Sequence, residues 1–289
     1  MTTEAATRVR DIPVDKITET IAELCENATH FLPEDVIGGL EQARDREKSE
    51  LGKQVLIEIL ENVEIAKNEM LPLCQDTGTT VVFVELGQDA HIVGGRLDEA
   101  INAGVAKGYT EGFLRALIVD HPFSSRANTK NNTPAVIHVD VVPGDRLKLK
   151  VLPKGGGCEN MSRFTVMLPS AGKDQIVEFV LRTIEESGGN PCPPLIVGVG
   201  VGGTSEYAMT IAKKAVIRSV GKPSDDPETA EFERELLDKV NALGVGPQAV
   251  GGLTTALAVN IETYPTHITA LPVAVNIQCH SARLKEAEL

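Results

Sequence analysis

The sequence predicts an α+β fold of irregular α/β type, in which N-terminal helices are followed by a mixed sheet and further helices. Apolar residues recur at helical spacing from residue 14 to about residue 70, whereas several later segments alternate or run apolar as strands do. Helices and strands then mix without a regular βαβ repeat. No internal repeat or low-complexity linker divides the 289 residues. We therefore expect a single domain over residues 1–289, with a helical part to about residue 72 and a mixed part from about residue 73.

Two or three helices are expected before residue 70. The first is marked by Val14, Ile17, Ile21 and Leu24, which share one helical face. The second is expected to begin at Pro33, because proline is tolerated in the first turn and the acidic residues that follow it favour the positive end of the helix dipole.

The remaining elements are read from the changes in hydrophobic period. Strands are expected at 79–86, 163–168, 194–200, 254–263 and 271–279. Helices are expected at 95–118, 173–187, 205–219 and 227–243. Segments 135–142 and 146–153 read as a β-hairpin across a Pro-Gly-Asp turn, and the glycine-rich stretch 153–162 reads as an exposed loop.

Composition excludes several classes of function. A formal charge of −13 disfavours nucleic acid and anionic lipid as partners, since it repels phosphate. There is no apolar run of 18 residues and no hydrophobic N-terminal signal, so we expect a cytoplasmic protein. The five cysteines are widely spread and odd in number, which argues against a disulfide framework and for thiols or metal ligands.

Three of the cysteines lie in turns of unusual composition. Cys74 is followed by Gln75 and Asp76 in "PLCQDTG", where a merely buried cysteine would have apolar neighbours. Cys192 lies in "GNPCPP", whose prolines fix the backbone, and Cys279 closes a predicted strand in "IQCHSAR". Thiolates on three separate turns are the pattern that iron-sulfur clusters use, because soft sulfur ligands suit iron. The simpler interpretation, small buried hydrophobic residues, stays open at this point.

Three further positions are candidates for binding an anion. The glycines of "LPKGGGCEN" could present backbone N–H groups to it with Lys154 adding charge, or could simply form a flexible turn. Arg115 lies in an apolar segment that reads as helix, where a buried guanidinium would need an anionic partner. His267 is a lone histidine in "TYPTHITALP", a kind of position that is usually structural.

A dinucleotide-binding motif is mimicked by Gly198, Gly200 and Gly203, which have the G-x-G-x-x-G spacing between a strand and a helix. The second buried strand with its acidic end is missing, because a polar loop and another helix follow. We interpret these glycines as sites of close helix–strand packing or of approach to the active site. An NAD-dependent oxidoreductase is the alternative.

Taken together, "LCQDTGT", "KGGGCEN", "NPCPP" followed by "VGGTSE", and "IQCHSAR" resemble, in that order, the N-terminal part of class I iron-sulfur fumarate hydratases. They are equally similar to the alpha subunit of the two-chain relatives, which include L-tartrate dehydratase. The resemblance implies a [4Fe-4S] cluster held by Cys74, Cys192 and Cys279. Its fourth iron would have no protein ligand and would act as a Lewis acid in the hydration of fumarate to (S)-malate.

The resemblance also implies the roles of individual residues. Gln75 and Asp76 would contact the substrate or orient the base. Arg115 and His267 would bind substrate oxygens, and the backbone amides of Gly156 and Gly157 would receive a carboxylate. The catalytic residues implied are Gln75, Asp76 and His267. The substrate-binding residues implied are Gln75, Asp76, Arg115, Gly156, Gly157 and His267.

The sequence departs from the family pattern at two points. Cys158 stands where many fused members have serine, and a fourth thiolate ligand would make the chain a non-catalytic iron-sulfur or zinc module. Single-chain members also continue into a second domain that carries the base and further arginine and lysine clamps, whereas these residues stop soon after Cys279. We therefore expect a separate beta subunit, an alpha2beta2 assembly and no activity of the chain alone. L-Tartrate is the alternative substrate.

Overall fold

A computed structural model describes residues 9–289. The expectation about an N-terminal signal rests partly on residues 1–8, which lie outside the described residues. The helices are α1 Val14–His30, α2 Glu34–Arg46, α3 Glu50–Glu69, α4 Leu97–Glu111, α5 Gly156–Glu159, α6 Gly172–Ser187, α7 Ser205–Ala215 and α8 Pro227–Ala242. The strands are β1 Arg10–Pro13, β2 Thr79–Gly87, β3 Ala90–Val93, β4 Val136–Val142, β5 Leu147–Lys154, β6 Arg163–Met167, β7 Leu195–Gly202, β8 Ala256–Tyr264, β9 Leu271–Gln278 and β10 Lys285–Glu288. The α+β prediction is confirmed.

The contacts group the chain into two compact units. Unit 1 comprises the described residues up to Phe31 together with Met70–Lys154 and Arg283–Leu289. Unit 2 comprises Leu32–Glu69 and Gly155–Ala282. The predicted single domain, with its helical part ending near residue 72, stays a prediction.

Unit 1 is built on a four-stranded sheet of order β10-β5-β2-β4. The central strand β2 is almost wholly buried, as its run of β-branched and aromatic residues requires. Helices α1 and α4 pack against each other and form one core with the sheet. The apolar side chains of that core include Ile17, Ile21, Ile101, Val105, Val82, Val84, Leu149 and Val151. A small parallel pair, β1 with β3, completes the unit.

Unit 2 is built on a second four-stranded sheet, of order β6-β9-β7-β8. Strand β7 is parallel to β8 and antiparallel to β9, and β6 is antiparallel to β9. Alternate residues of the strands point to opposite faces. Helices α6 and α8 cover the face that carries Val197, Val199 and Val275. Helix α7 lies against the other face, where Ala208 and Ala212 pack with a strand alanine.

The predicted β-hairpin is wrong, although both of its strands exist. Strand β2 lies between β4 and β5, pairing parallel with β4 and antiparallel with β5. The Pro-Gly-Asp turn therefore carries the chain across the width of β2 instead of reversing it onto its neighbour. The more apolar β2 takes the central position, where both of its faces are buried.

Other boundaries also differ from the prediction. The helix that was expected to reach residue 118 ends at Glu111, and the helix that was expected to reach residue 219 ends at Ala215. The glycine-rich stretch contains one helical turn, α5, and Lys154 is 1% exposed at the end of β5 instead of lying in an exposed loop. The strands β1, β3 and β10 were not predicted.

The glycines of the G-x-G-x-x-G motif serve close packing. A Cβ atom on Gly198 would lie 2.1 Å from the carbonyl oxygen of Ala212, and one on Gly200 would lie 2.1 Å from that of Ala208. Both carbonyls belong to helix α7, which can approach strand β7 closely only because these positions lack side chains. The packing interpretation is confirmed. In the described part of the chain, no helix is both long and apolar enough to cross a bilayer.

We expect Gly200→Ala to lower the free energy of unfolding by about 3 kcal/mol, the upper part of the usual range for overpacking. The added methyl group would overlap a helix carbonyl that cannot move alone. Gly38→Ala in α2 is the matched control, because no atom lies within 4 Å of its added Cβ, and it should stabilise the protein by about 0.5–1 kcal/mol. Urea unfolding of both variants checks this, and equal midpoints would contradict it.

Candidate functional site

The segment Cys74–Gly78 in unit 1 forms a tight turn stabilised by its own side chains. The backbone N–H of Asp76 donates to the Cys74 Sγ at 3.4 Å, and the N–H of Gly78 donates to Asp76 Oδ1 at 3.0 Å. Gly78 has a φ of +82°, and a Cβ there would lie 2.7 Å from the backbone of Pro153. A glycine is therefore required, and the turn sets the thiol and the carboxylate in a fixed relation.

Three groups of unit 1 brace this turn from outside it. The Tyr109 hydroxyl donates to the carbonyl of Thr77 at 2.8 Å, and the Thr77 hydroxyl donates to the carbonyl of Arg115 at 2.5 Å. The Arg283 guanidinium donates through Nη1 to the carbonyl of Asp76 at 2.5 Å. The successive carbonyls of Asp76 and Thr77 are thus held by buried donors.

Arg283 is the residue of this site that the sequence analysis missed. It is 1% exposed, and its Nε has no hydrogen-bond partner among the described residues. A fully buried guanidinium is rare because desolvating it is costly. The signal was available, since Arg283 is the last residue of the quoted "IQCHSAR" motif and closely follows an apolar strand.

Arg115 does not occupy the predicted position in a helix. Helix α4 ends at Glu111, and Phe113 has a left-handed φ of +53°, which an α-helix does not allow. The side chain of Arg115 is exposed, so the argument from a buried charge is wrong. Its backbone carbonyl nevertheless meets the turn at Thr77, which brings this segment to Gln75 and Asp76. Binding of substrate oxygens by its side chain stays a prediction.

In unit 2, Cys192 and Cys279 lie at the same edge of the sheet. Cys192 precedes β7 and Cys279 follows β9, and these strands pair antiparallel with Ile196 opposite Gln278. The residue after Cys279 joins the two turns: the His280 N–H donates to the Cys192 carbonyl at 3.4 Å, and its Nδ1 lies 3.0 Å from the same oxygen. Sheet geometry thus brings two of the three candidate cysteines together.

The triple glycine lies beside the Cys192 turn. A Cβ on Gly157 would lie 2.9 Å from the carbonyl oxygen of Asn190, so a larger residue would push the two segments apart. Gly156 opens the short helix α5, and the thiol of Cys158 donates to the carbonyl of Gly155 at 3.4 Å. This arrangement places the glycine amides near the cysteine edge of unit 2. Capture of a carboxylate by Gly156 and Gly157 stays a prediction.

His267 lies at the opposite edge of the same sheet. It belongs to the connection from β8 to β9, where its Nδ1 accepts from the hydroxyl of Thr269 at 2.8 Å. Strand β9 lies between His267 and Cys279, and its eight residues span roughly 26 Å. Unit 2 of a single chain therefore does not bring His267 to Cys192 and Cys279, and its catalytic role stays a prediction.

The five thiols have different environments. Cys25 is fully buried, and burial, assisted by the nearby Glu26 carboxylate, raises the pKa of its thiol far above the ordinary range. Cys158 is also buried, and its thiol faces two carbonyl-type oxygens, of Gly155 at 3.4 Å and of Gln278 at 4.0 Å. The other three cysteines are exposed or half-buried. Exposure therefore separates the three candidate ligands from the remaining two cysteines.

Thiols are the donor type that holds iron-sulfur clusters in proteins. Within residues 9–289, no three His, Cys, Asp or Glu side chains are grouped closely enough to hold a single metal ion. In an iron-sulfur cluster each ligated iron takes one protein thiolate, so the ligands of a cluster stand farther apart than those of a single metal ion. The accessible thiols of Cys74, Cys192 and Cys279, one of which accepts an N–H···S bond, have the required chemistry.

A protein family and several named relatives match most of the chain. The profile of the family described as fumarate hydratase (Fumerase) matches residues 18–288. The chain belongs to the fumarate hydratase family. A Methanocaldococcus jannaschii protein provisionally named L(+)-tartrate dehydratase subunit alpha is 42% identical over 275 residues, which is 93% of this chain and 95% of that protein. The L(+)-tartrate dehydratase subunit alpha of Escherichia coli strain UTI89 is 33% identical over 93% of this chain and 89% of its own length. The resemblance drawn from the four motifs is confirmed.

Exposure predicts which thiols of this family member react in the folded, metal-free chain. We expect Cys192 to be alkylated by iodoacetamide at least about tenfold faster than Cys25, because only an accessible thiolate is nucleophilic. Peptide mass spectrometry after a short labelling pulse measures both rates. Labelling in urea, where all five thiols should react alike, is the control. Equal rates in the native chain would contradict the assigned burial.

Proposed function

We propose that the chain is the alpha subunit of a hydro-lyase that acts on a small dicarboxylate, with fumarate as the first candidate. The observation that carries the proposal is the Cys74–Gly78 turn, in which the Cys74 sulfur and the Asp76 carboxylate each accept a backbone N–H of the same turn and Arg283 donates to the Asp76 carbonyl. Membership of the fumarate hydratase family supports the same reaction class. Such a turn suits a site where a cofactor and a substrate must be positioned together.

Cys74, Cys192 and Cys279 are the proposed ligands of a [4Fe-4S] cluster. When bound, the cluster supplies a Lewis acid at the iron that has no protein ligand. Cys25 and Cys158 are disfavoured by their burial. The burial of Cys158 also argues against the alternative of a closed, non-catalytic cluster with four thiolate ligands.

The remaining residues would bind and orient the dicarboxylate. The Gln75 side chain is exposed beside Cys74, and the Asp76 carboxylate has one oxygen fixed by the Gly78 N–H. We propose that Gln75 contacts the substrate and that Asp76 holds or moves the proton exchanged at the substrate carbon. Arg115 would bind a substrate oxygen, and the amides of Gly156 and Gly157 would receive a carboxylate. His267 completes the proposed set in spite of its distance along the sheet.

A beta subunit is proposed to supply the base and the further cationic clamps. The support is the name "subunit alpha" carried by the relatives of M. jannaschii and E. coli. We propose an alpha2beta2 assembly in which neither chain is active alone. The five cysteines, none of which forms a disulfide, suit a reducing compartment, and we propose the cytoplasm.

L-Tartrate is the second candidate substrate. The specific observation in its favour is that the M. jannaschii and E. coli relatives are both named as L(+)-tartrate dehydratase subunit alpha. Both candidates carry two carboxylates and exchange water between adjacent carbons, so the same turn and amides would serve either. The choice between them is an outcome of the activity measurement.

We expect anaerobically reconstituted protein to hydrate fumarate only when it is co-expressed with its beta subunit. Asp76→Asn should keep the iron content and lower turnover by about 10²–10⁴-fold, the usual contribution of a positioned acid or base. Absorbance at the fumarate band follows the reaction, and oxaloacetate formation follows L-tartrate. Conversion of L-tartrate alone would reassign the substrate. No conversion of either substrate, or full activity of Asp76→Asn, would refute the proposed chemistry.

We expect Cys74→Ser, Cys192→Ser and Cys279→Ser each to lose most of the reconstituted iron, because a hard hydroxyl is a poor ligand for the cluster. Cys25→Ser and Cys158→Ser are the matched controls and should bind iron as the parent chain does. Iron and sulfide per chain, with the visible absorbance of the cluster, provide the measurement. Equal iron content in all five variants would remove the ligand assignment.

A further inference from the structure

Gln248 occupies a backbone conformation that a glycine would adopt at lower cost. It lies in the short 3₁₀ turn Pro247–Ala249 of unit 2, and both Gln248 and Ala249 have left-handed φ angles, of +47° and +59°. Left-handed geometry costs an ordinary residue about 1–2 kcal/mol. A glutamine at such a position points to a use for its side chain.

The side chain of Gln248 spans the two cysteine turns of unit 2. Its backbone N–H donates to the carbonyl of Pro193 at 2.9 Å, and its Nε2 donates to the same oxygen at 2.8 Å. The Nε2 also lies 3.1 Å from Nδ1 of His280. Pro193 directly follows Cys192, and His280 directly follows Cys279. One carboxamide therefore contacts the residue next to each of the two candidate ligands.

The two hydrogens of the amide group match these two contacts. A primary amide nitrogen carries two donors, and Pro193 offers a carbonyl acceptor. In the imidazole tautomer with an unprotonated Nδ1, His280 offers the second acceptor, and its approach to the Cys192 carbonyl at 3.0 Å is then not a hydrogen bond. Leucine would fill the same space without either bond, and glutamate would present oxygen in place of both hydrogens. The site thus selects an amide at this length.

The loop that carries Gln248 is itself anchored. The Glu47 carboxylate, 7% exposed, accepts the N–H groups of Lys48 and Ser49 through Oε1 and that of Leu253 through Oε2, at 2.8–3.0 Å. These bonds connect the start of α3 to the end of the loop. A group that positions others must be held in place, and Gln248 meets this requirement.

We propose that Gln248 is a positioning residue that sets the separation of Cys192 and Cys279 before any cofactor is bound. The proposal rests on the proposed function, because the separation matters only if both thiolates ligate one cluster. By holding the two turns together, the amide lowers the ordering cost of ligation. Without it, the turns would lose this side-chain link and keep backbone bonds such as those from residue 248 to Pro193 and from His280 to Cys192.

The test compares Gln248→Gly and Gln248→Leu with the parent chain, co-expressed with the beta subunit and reconstituted anaerobically. Gln54→Leu on the exposed side of α3 is the matched control, since the Gln54 side chain is exposed and donates to Glu58 of the same helix. We expect chelator-driven loss of iron to be about tenfold faster in both Gln248 variants, the lower end of the effect of a group that orients metal ligands. The EPR spectrum of the chemically reduced cluster should also change.

The glycine variant separates positioning from a purely structural role. It relieves the left-handed strain, so the cluster-free chain should unfold at the same temperature as the parent or higher, while its cluster is lost faster. Parental loss rates and EPR spectra in both variants would overturn the proposal and leave the proposed function intact. A parent chain that takes up no iron would overturn the proposed function and this inference with it.

Discussion

The antiparallel pairing of β7 with β9 is the constraint on which the candidate site of unit 2 depends. It places the start of one strand opposite the end of the other, and so carries Cys192 and Cys279 to one edge. The register is fixed twice over. Gly198 and Gly200 must face the α7 backbone, and the alternate valines must face α6 and α8. A slip of one residue would reverse both faces. The cysteine pair is therefore a consequence of core packing.

In unit 1 the candidate site is held in place by hydrogen bonds to backbone carbonyls, and not by the register of paired strands. Thr77 and Asp76 each accept a hydrogen bond from a buried side chain, and the glycine after them admits no Cβ. The cation among these donors, Arg283, is buried with one nitrogen unsatisfied in the described part of the chain. Because burying the Arg283 guanidinium costs free energy, its role is to fix a local geometry more than to add stability. The geometry specified is that of the turn bearing Cys74.

The sequence predicted local features better than long-range pairing. Periodicity located β2, β7, β8 and β9 because each is a buried run with the residue types that strands prefer. The hairpin was wrong because a Pro-Gly-Asp turn predicts only that the chain bends. It does not predict that β2 will lie between the two strands that the turn connects. Arg115 was misplaced because nothing in a helical pattern reveals a left-handed residue such as Phe113. The three exposed or half-buried cysteines could be recognised from their polar and proline-rich neighbours in the sequence. The contacts of Gln248 and Arg283 could not be predicted, because they join segments far apart in sequence.

The last strand of unit 1 has a consequence for the order in which the chain can fold. Strand β10 pairs with β5 across more than 130 residues, with Lys285 opposite Val151. During synthesis from the N-terminus, every segment of unit 2 has been made before β10 exists. Until then β5 is an open sheet edge, the kind of surface on which growing chains aggregate. Its exposed face carries Lys148 and Lys150, which later form ion pairs with Glu286. The same lysines thus discourage wrong pairing on the ribosome and help to attract the correct strand when it arrives.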